Sequence, residues 1–239
     1  MSKSPTPGVR VFIDFDGTIA NNDVGNEFFS AHNAFEPAYS QLESGSISVA
    51  EFYRRACAQL PAGLSDADVA AFANAQQIDT GFPSLVQWCR THNIPISVVS
   101  DGFVNYINPM LAQMGVMDVE VFANVLDATT LQPSYPNASE SCNCYCASCK
   151  RNVVITHSSP EDILVYIGDG LSDMCAALHC DVIFAKSELA ANCTAERIPH
   201  HPWKHLSDVQ RILDQYQRLG SFRPRRQAIL ARKRSIEAE

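Results

Sequence analysis

The sequence has no long apolar run. Its first residues, Met1 to Gly8, contain no hydrophobic signal-peptide core, and no later stretch approaches the length that spans a membrane. It also has no excess of positive charge, because the formal net charge is −8, and this argues against nucleic acid as the main partner. Internal repeats and low-complexity tracts are absent as well. We therefore expect a soluble cytoplasmic protein without a nucleic-acid or membrane partner.

The composition is typical of a globular protein. Hydrophobic residues make up 46% of the 239 residues and charged residues 18%, so extensive disorder is not expected. A chain of this length accommodates one large α/β domain, or a core domain with a smaller inserted one. Because no signal peptide is expected, the nine cysteines are interpreted as thiols or metal ligands rather than as a disulfide scaffold.

Two acidic residues follow an apolar strand near the start of the chain. Val9–Ile13 is rich in β-branched and aromatic residues, which predicts a buried strand, and Asp14, Asp16 and Gly17 come next. Side chains two residues apart in a strand point the same way, so both carboxylates are expected to leave the strand end together. Such a pair needs a cation or a shared proton. An ordinary Asp-rich turn is the alternative, but it does not explain two acids directly beside an apolar strand.

Apolar strands alternate with helical patterns in the second part of the chain. The further predicted strands are Ile94–Gly102, Val119–Val125, Ile163–Gly170 and Asp181–Ala185. This alternation predicts an α/β fold with a Rossmann-like parallel sheet that helices cover on both faces. Ligands bind beyond the carboxyl ends of such strands, so Asp14, Ser100 and Asp169 are expected to meet at one crevice.

The remaining segments are helical. Residues 21–77 contain helical patterns and no strand candidate, which predicts a small helical cap domain inserted into a core of residues 1–20 and 78–239. The basic C-terminal tail, about residues 220–239, is expected to be solvated and partly ordered, with a nucleic-acid or membrane contact as the alternative.

The polar groups expected in the crevice suit phosphoryl transfer. One carboxylate of the Asp14 and Asp16 pair can act as a nucleophile while the other moves protons. Mg²⁺ prefers oxygen ligands, and Asp169 with Asp173 supplies more of them at the same edge. Lys150 can offset the charge that develops on a phosphoryl group.

Four ordered stretches resemble the motifs of the haloacid dehalogenase (HAD) phosphohydrolases. They are Asp14-Phe15-Asp16-Gly17-Thr18, Ser100, Lys150, and Gly168-Asp169-Gly170 followed by Asp173. The resemblance implies a Mg²⁺-dependent phosphatase of small phosphorylated metabolites. Asp14 would be the nucleophile that becomes an aspartyl-phosphate, Asp16 the general acid/base, and Lys150 would orient Asp14. Asp14, the backbone carbonyl of Asp16, and Asp169 would hold Mg²⁺, with Asp173 nearby.

Substrate binding is expected to involve Thr18, Asp23, Arg54, Arg55, Ser100, Asp101 and Gly102. The resemblance implies Ser100 and Asp23, whereas Arg54 and Arg55 are expected because they are charged groups on a cap helix. The helical insertion resembles the cap of the phosphoserine-phosphatase-like branch, and its hinges would let it close over the crevice. A solvated helix face is the alternative for the two arginines.

Several phosphorylated substrates are compatible with the sequence. Ser100-Asp101-Gly102-Phe103 and Cys146-Ala147-Ser148-Cys149-Lys150 look similar to the methionine-salvage phosphatases that act on a hydroxy-keto-methylthiopentenyl phosphate. Phosphoserine phosphatases and phosphoethanolamine/phosphocholine phosphatases are the alternatives. Within the enzyme class, a phosphotransferase on the same scaffold is a further alternative. A catalytically silent binding or zinc module would belong to a different class, but the intact Asp14, Asp16, Ser100, Lys150 and Asp169 argue against it.

Four cysteines form a cluster outside these motifs. Cys142, Cys144, Cys146 and Cys149 could hold a structural Zn²⁺ in a Cys₄ site. Their spacing is tighter than that of the usual paired zinc knuckles, so disulfides or thiols without a metal are the alternatives.

Overall fold

The computed structural model describes residues 8–139 and 146–237, and these residues contain a seven-stranded sheet. The strands are β1 (Val9–Ile13), β2 (Ile96–Phe103), β3 (Glu120–Asp127), β4 (Gln132–Ser134), β5 (Ile163–Gly168), β6 (Val182–Ala185) and β7 (His201–Pro202). Their order across the sheet is β4-β3-β2-β1-β5-β6-β7. Neighbouring strands pair in parallel except for β3 and β4, which are antiparallel. The predicted α/β fold with a mainly parallel sheet is confirmed.

Helices cover both faces of this sheet. They are α1 (Val24–Ala31), α2 (Ala38–Glu43), α3 (Val49–Ala58), α4 (Asp66–Asn74), α5 (Phe82–Thr91), α6 (Val104–Gln113), α7 (Lys150–Thr156), α8 (Met174–Leu178), α9 (Ser187–Ala195), α10 (Leu206–Leu219) and α11 (Arg226–Glu237). A 3₁₀ turn at Leu171–Asp173 precedes α8. None of the helices in residues 8–139 and 146–237 combines the length and the apolar character that crossing a bilayer needs.

Strand β1 lies at the centre of the sheet because both of its faces are apolar. Phe12 packs into one hydrophobic cluster, whereas Val11 and Ile13 pack into the cluster on the opposite face, and all three are fully buried. Ile13 pairs with Val98 of β2 and with Ile167 of β5. The three strands are therefore in register near their carboxyl ends, and the residues that follow them meet at one edge.

The two outermost strands were not predicted from the sequence. Strand β4 has three residues and β7 has two, and both contain a proline, Pro133 and Pro202. Proline cannot donate a hydrogen bond to a neighbouring strand, but it is tolerated at a sheet edge. Both segments are also too short to show the apolar alternation that identifies a strand in a sequence. The sheet is wider than the sequence pattern indicates.

Helices α1 to α4 form an insert between β1 and β2. The two segments that lead into and out of the insert are joined by backbone hydrogen bonds. The Asn21 N–H donates to the carbonyl of Gln77 at 2.9 Å, and the Asp79 N–H donates to the carbonyl of Ile19 at 2.8 Å. A cluster of rings joins the insert to the sheet, where Phe103 packs against Tyr53 with centroids 5.0 Å apart. The division into core and cap domains stays a prediction.

The expectation of a solvated basic tail is wrong for its central part. Helix α11 packs on the core, with Ala228 fully buried. The Arg232 guanidinium donates to the carbonyl of His179 at 2.6 Å and to Asp181 at 3.2 Å, and Arg225 donates to the carbonyl of Cys180 at 2.8 Å. These arginines bind the carbonyl groups at the end of α8 and a buried acid, which charge composition alone does not reveal.

Candidate active site

The two acids after β1 have separate sets of partners. Asp14 is buried, and its Oδ1 accepts a hydrogen bond from the Lys150 amine at 2.6 Å. Asp16 instead accepts from the backbone N–H of Val24 at 2.9 Å and from the hydroxyl of Tyr106 at 2.7 Å. The two carboxylates are therefore not equivalent, although both follow the carboxyl end of β1.

The tight turn at Gly17 connects this pair to the end of β5. Gly17 has φ +71°, and a Cβ atom there would lie 2.4 Å from the Asp169 carboxylate. The neighbouring Thr18 hydroxyl donates to the same carboxylate at 3.0 Å. Only glycine fits this close approach, so the Asp-x-Asp-Gly-Thr sequence has a steric reason at its fourth position.

Lys150 lies at the centre of the site. Its amine is 2.6 Å from Asp14 Oδ1, 2.6 Å from Asp173 Oδ1, and 3.1 Å from the Ser172 hydroxyl. Burial lowers the pKa of Lys150, but the charges of Asp14 and Asp173 outweigh burial and hold this pKa above its usual range. The lysine is therefore a fixed positive charge beside Asp14.

Asp173 is fully buried and all of its accepting positions are in use. Its Oδ1 accepts from Lys150 and from the Tyr166 hydroxyl at 2.7 Å, and its Oδ2 accepts from the backbone N–H groups of Asp169 and Gly170 at 2.9 Å each. Gly168 contributes by its lack of a side chain, since a Cβ there would lie 2.4 Å from Asp173 Oδ2. Asp173 thus joins the turn after β5 to Lys150.

The acidic groups outnumber the cations at this edge. Asp14, Asp169 and Asp173 each offer an oxygen within 4.8 Å of the others. Burial raises the pKa of Asp14 well above its usual range, and burial raises that of Asp169; the charge of Asp173 adds to both. Burial, with the charge of Asp23, raises the pKa of Asp16 to about 7. An oxygen-only set with too much negative charge fits a hard divalent cation such as Mg²⁺.

The irregular stretch Ser100–Gly102 within β2, which we call the Ser100 turn, faces Asp16 from the other side. The Ser100 hydroxyl accepts from the Gly102 N–H at 2.9 Å and lies 3.4 Å from Asp16. A Cβ atom on Gly102 would fall 1.6 Å from the Tyr106 hydroxyl, so only glycine lets Tyr106 reach Asp16. Tyr106 was not predicted as a site residue from the sequence. The available signal was a tyrosine one helical turn after this glycine, on the buried face of α6.

Asp101 has partners that were not expected. Its Oδ1 accepts from the backbone N–H groups of Ala147 at 2.9 Å and Ser148 at 2.6 Å, and Asn124 donates to its carbonyl at 2.6 Å. The carboxylate is therefore engaged with the segment that leads to Lys150. Substrate binding by Asp101 stays a prediction.

The charged residues predicted on the insert divide into two groups. Asp23 caps α1 by accepting from the Asn26 N–H at 2.8 Å, and its charge acts on Asp16. Arg54 and Arg55 instead bind Glu51, with Nε to carboxylate distances of 2.7 Å and 2.5 Å. The structure thus brings Asp23 to the crevice, whereas the contacts of the arginines lie on the helix face that carries Glu51.

The cysteine cluster is only half described. Cys142 and Cys144 lie outside the described residues, Cys146 is half-buried, and Cys149 is buried. Within residues 8–139 and 146–237, the side chains grouped closely enough to hold a metal ion are the acids Asp14, Asp169 and Asp173. Zinc therefore gains no support here.

The residues of this site lie in a segment that matches a known protein family. The model of the family described as haloacid dehalogenase-like hydrolase matches residues 11–178. The chain belongs to this family. The match includes the Asp14 turn, the Ser100 turn, Lys150 and the Asp169 turn, so the resemblance noted in the sequence is confirmed for this hydrolase.

Curated relatives of the hydrolase are named as phosphatases. A 2-hydroxy-3-keto-5-methylthiopentenyl-1-phosphate phosphatase of Bacillus mycoides (strain KBAB4) is 28% identical over 209 residues, which cover 84% of this chain and 94% of that protein. A protein of the same name from Brevibacillus brevis is 29% identical over 214 residues and covers 87% and 96%. The expected class, a phosphoric monoester hydrolase, is confirmed.

Solved structures similar to the hydrolase share its fold. A substrate-bound phosphoserine phosphatase complex superimposes with a TM-score of 0.64 at 18% identity and covers 86% of this chain and 98% of that chain. A phospho-aspartyl intermediate analogue of phosphoserine phosphatase gives a TM-score of 0.63 at 19% identity, covering 87% and 99%. At these identities the likeness concerns the fold alone.

Proposed function

We propose that this hydrolase cleaves a small-molecule phosphomonoester through an aspartyl-phosphate on Asp14, with Mg²⁺ as its metal. The observation that carries the proposal is the separation of the two acids. Lys150 holds Asp14, whereas Tyr106 and the Val24 N–H hold Asp16. The Lys150 charge opposes the rise that burial causes in the pKa of Asp14, and so favours the ionised form that a nucleophile requires, whereas Asp16 is held by neutral donors.

The first chemical step would form a bond between a carboxylate oxygen of Asp14 and phosphorus. The bond from phosphorus to the leaving oxygen breaks, and Asp16 gives its proton to that oxygen, so an alcohol departs. Water then attacks phosphorus, gives a proton back to Asp16, and the bond from Asp14 to phosphorus breaks to release phosphate. Burial and the charge of Asp23 raise the pKa of Asp16 and so favour the protonated carboxyl that the first step requires.

Asp14, Asp169 and the backbone carbonyl of Asp16 would hold Mg²⁺, because both oxygens of Asp173 already accept two hydrogen bonds each. When bound, Mg²⁺ supplies positive charge that offsets the phosphoryl oxygens and the crowded carboxylates. Lys150 would contact the phosphoryl group as it transfers, and the Ser100 hydroxyl with the N–H groups after it would bind the remaining phosphoryl oxygens. Thr18 would keep Asp169 in place.

We infer that the substrate resembles 2-hydroxy-3-keto-5-methylthiopentenyl-1-phosphate, which the curated relatives are named for. The half-buried Tyr53 packs on the buried Phe103 ring, with centroids 5.0 Å apart, and offers an aromatic wall for an apolar arm. Burial, with the charges of Asp101, Asp23 and Asp16, raises the pKa of Tyr53 well above its usual range, so its hydroxyl stays protonated. Arg54 and Arg55 are engaged with Glu51, and this disfavours a substrate with a distal carboxylate such as phosphoserine.

A second candidate follows from the same wall. A carboxylate and aromatic faces together attract an ammonium group, so Asp23 and Tyr53 also favour phosphoethanolamine or phosphocholine. A panel of phosphorylated metabolites with a released-phosphate assay separates the two, and added alcohol acceptors detect a phosphotransferase. Replacing Asp23 by alanine is expected to change the ranking of these substrates more than it changes hydrolysis of 4-nitrophenyl phosphate. Equal losses on all substrates would refute a selective role for Asp23.

The experiment for the mechanism compares Asp14→Asn with Asp16→Asn. Asp14→Asn is expected to abolish phosphate release and the acid-stable phosphoenzyme, whereas Asp16→Asn slows turnover and still binds fluoroberyllate. Exhaustive chelation should remove activity and Mg²⁺ should restore it, with Ca²⁺ a poor substitute because of its larger and looser coordination shell. Near-normal activity of Asp14→Asn would refute the covalent mechanism.

A further inference from the structure

Asp101 makes a concentrated set of contacts with a distant part of the chain. Its Oδ1 accepts from the Ala147 N–H at 2.9 Å, from the Ser148 N–H at 2.6 Å, and from the Asn124 amide at 3.3 Å. The same Asn124 amide donates to the Asp101 carbonyl at 2.6 Å. Three donors on one carboxylate oxygen constrain both the turn that carries Asp101 and the segment that it holds.

That segment leads directly to Lys150. We call residues Ala147–Cys149 the strap, since they join Asp101 to the first residue of α7. The strap is buried, with Ser148 fully enclosed and Cys149 only 1% exposed, and the Cys149 N–H donates to the carbonyl of Asn137 at 3.1 Å. Helix α7 has only seven residues, so the path of the strap decides where its first side chain lies.

The other end of the contact lies in the Ser100 turn, Ser100–Gly102. Asp101 immediately follows Ser100, whose hydroxyl accepts from the Gly102 N–H and faces Asp16. One carboxylate therefore joins the turn that faces Asp16 to the strap that ends at Lys150. Burial raises the pKa of Asp101 to about 6, while the Ser148 N–H and the charge of Lys150 oppose this rise, so Asp101 is mainly ionised at neutral pH.

We propose that Asp101 is a positioning residue that sets the place of Lys150 through the strap, rather than a group that contacts the substrate. The proposal rests on the proposed function, because it concerns the alignment of Lys150 with Asp14. A displacement of about 1 Å in a catalytic group can cost about a hundredfold in rate. Losing the contact should therefore slow turnover of every phosphomonoester alike, whereas a substrate contact would affect only the substrate that it recognises.

The test compares Asp101→Ala and Asp101→Asn with the wild type. Both are assayed on 4-nitrophenyl phosphate and on 2-hydroxy-3-keto-5-methylthiopentenyl-1-phosphate, with rapid-quench burst amplitudes to count active sites. The alanine variant is expected to lose about tenfold to a hundredfold in kcat on both substrates, with little change in KM. The asparagine variant keeps a neutral acceptor, so its kcat should fall by about threefold to tenfold on both.

A second readout does not depend on phosphatase activity. Alkylation of Cys149 by iodoacetamide, followed by mass spectrometry, reports the opening of the strap, and the fully buried Cys89 in α5 reports global unfolding. In Asp101→Ala, Cys149 is expected to react at least about tenfold faster while Cys89 does not change. The matched control is Asp127→Ala, since Asp127 also accepts two backbone N–H groups, from Thr129 and Thr130, but in an exposed turn. This control should alter neither readout.

Each outcome decides the proposal. Equal losses on both substrates with faster alkylation of Cys149 support it. A loss confined to the methylthiopentenyl substrate, a loss in KM alone, or an unaltered rate with Cys149 still protected overturns it. If Cys89 also reacts in the alanine variant, Asp101→Asn decides by the same criteria. A wild type that hydrolyses no phosphomonoester would refute the proposed function, whereas the alkylation comparison would still establish or refute the Asp101 contact with the strap.

Discussion

Asp169 and Asp173 are four residues apart in one turn, yet the structure predicts opposite effects when each becomes asparagine. Asp173 accepts four hydrogen bonds, two on each oxygen. An amide must place its NH₂ group where one of these oxygens was, against either Lys150 and Tyr166 or two backbone N–H groups. Two buried donors therefore lose their acceptor in Asp173→Asn, whichever way the amide turns.

The magnitude follows from those contacts. Each buried donor left without an acceptor costs about 1–3 kcal/mol, and Lys150 keeps Asp14 and Ser172 as partners. We expect Asp173→Asn to lower the free energy of unfolding of the metal-free protein by about 3–5 kcal/mol. Asp169 accepts only the Thr18 hydroxyl bond among its described side-chain contacts, and an amide oxygen can accept that as well. Asp169→Asn removes a carboxylate whose pKa is raised by burial and by Asp173, so the substitution should leave the free energy of unfolding unaltered or raise it.

The assay is urea unfolding at pH 7.5 and 25 °C in EDTA, followed by the same titration with Mg²⁺. Mg²⁺ should stabilise the wild type by mass action and should stabilise Asp169→Asn much less, because a proposed ligand is missing. If Asp169→Asn cost as much as Asp173→Asn in EDTA, the distinction between a saturated structural acid and an open metal ligand would be wrong.

Three further predictions concern other contacts. Tyr106→Phe removes the 2.7 Å hydrogen bond to Asp16 and should lower kcat by about tenfold with KM almost unaltered; an unaltered kcat would show that this bond does not matter. The pKa of Asp16 is raised from 3.8 to about 7 in the folded protein, so its favourable contribution to folding stability is present below about pH 4 and is lost as the pH rises through 7. In EDTA, the thermal stability of Asp16→Asn relative to the wild type should therefore increase from pH 5.5 to 7.5. A difference that stays constant with pH would contradict this. Arg232→Met should reduce the free energy of unfolding by about 3 kcal/mol, because it leaves Asp181 buried without its ion pair. Lys233→Met, at the exposed neighbouring position, should cost less than about 0.5 kcal/mol. Equal costs would refute the packing of α11 on the core.

Local rules account for what was predictable. Three short-range patterns belong to the site: the strand that precedes Asp14 and Asp16, the glycine beside Asp169, and the strand that precedes Asp169. Parallel strands bring their carboxyl ends to one edge of the sheet, so these patterns meet there. The contact between Asp14 and Lys150 agrees with the expected proximity of these two residues, whereas the order of the strands and the contact of Lys150 with Asp173 were not predicted.

Tertiary structure alone decided the partners of the remaining polar groups. Tyr106 reaches Asp16 across 90 residues of sequence, Asp101 reaches Ser148 across 47, and Arg232 reaches Asp181 across 51. Each contact depends on the rotation of a helix or on the irregular register between β2 and β3 near Val99 and Phe103, and a shift of one residue there would point the side chain elsewhere. Composition and spacing determined that these residues are polar and near the sheet edge, and packing determined which atom each one binds.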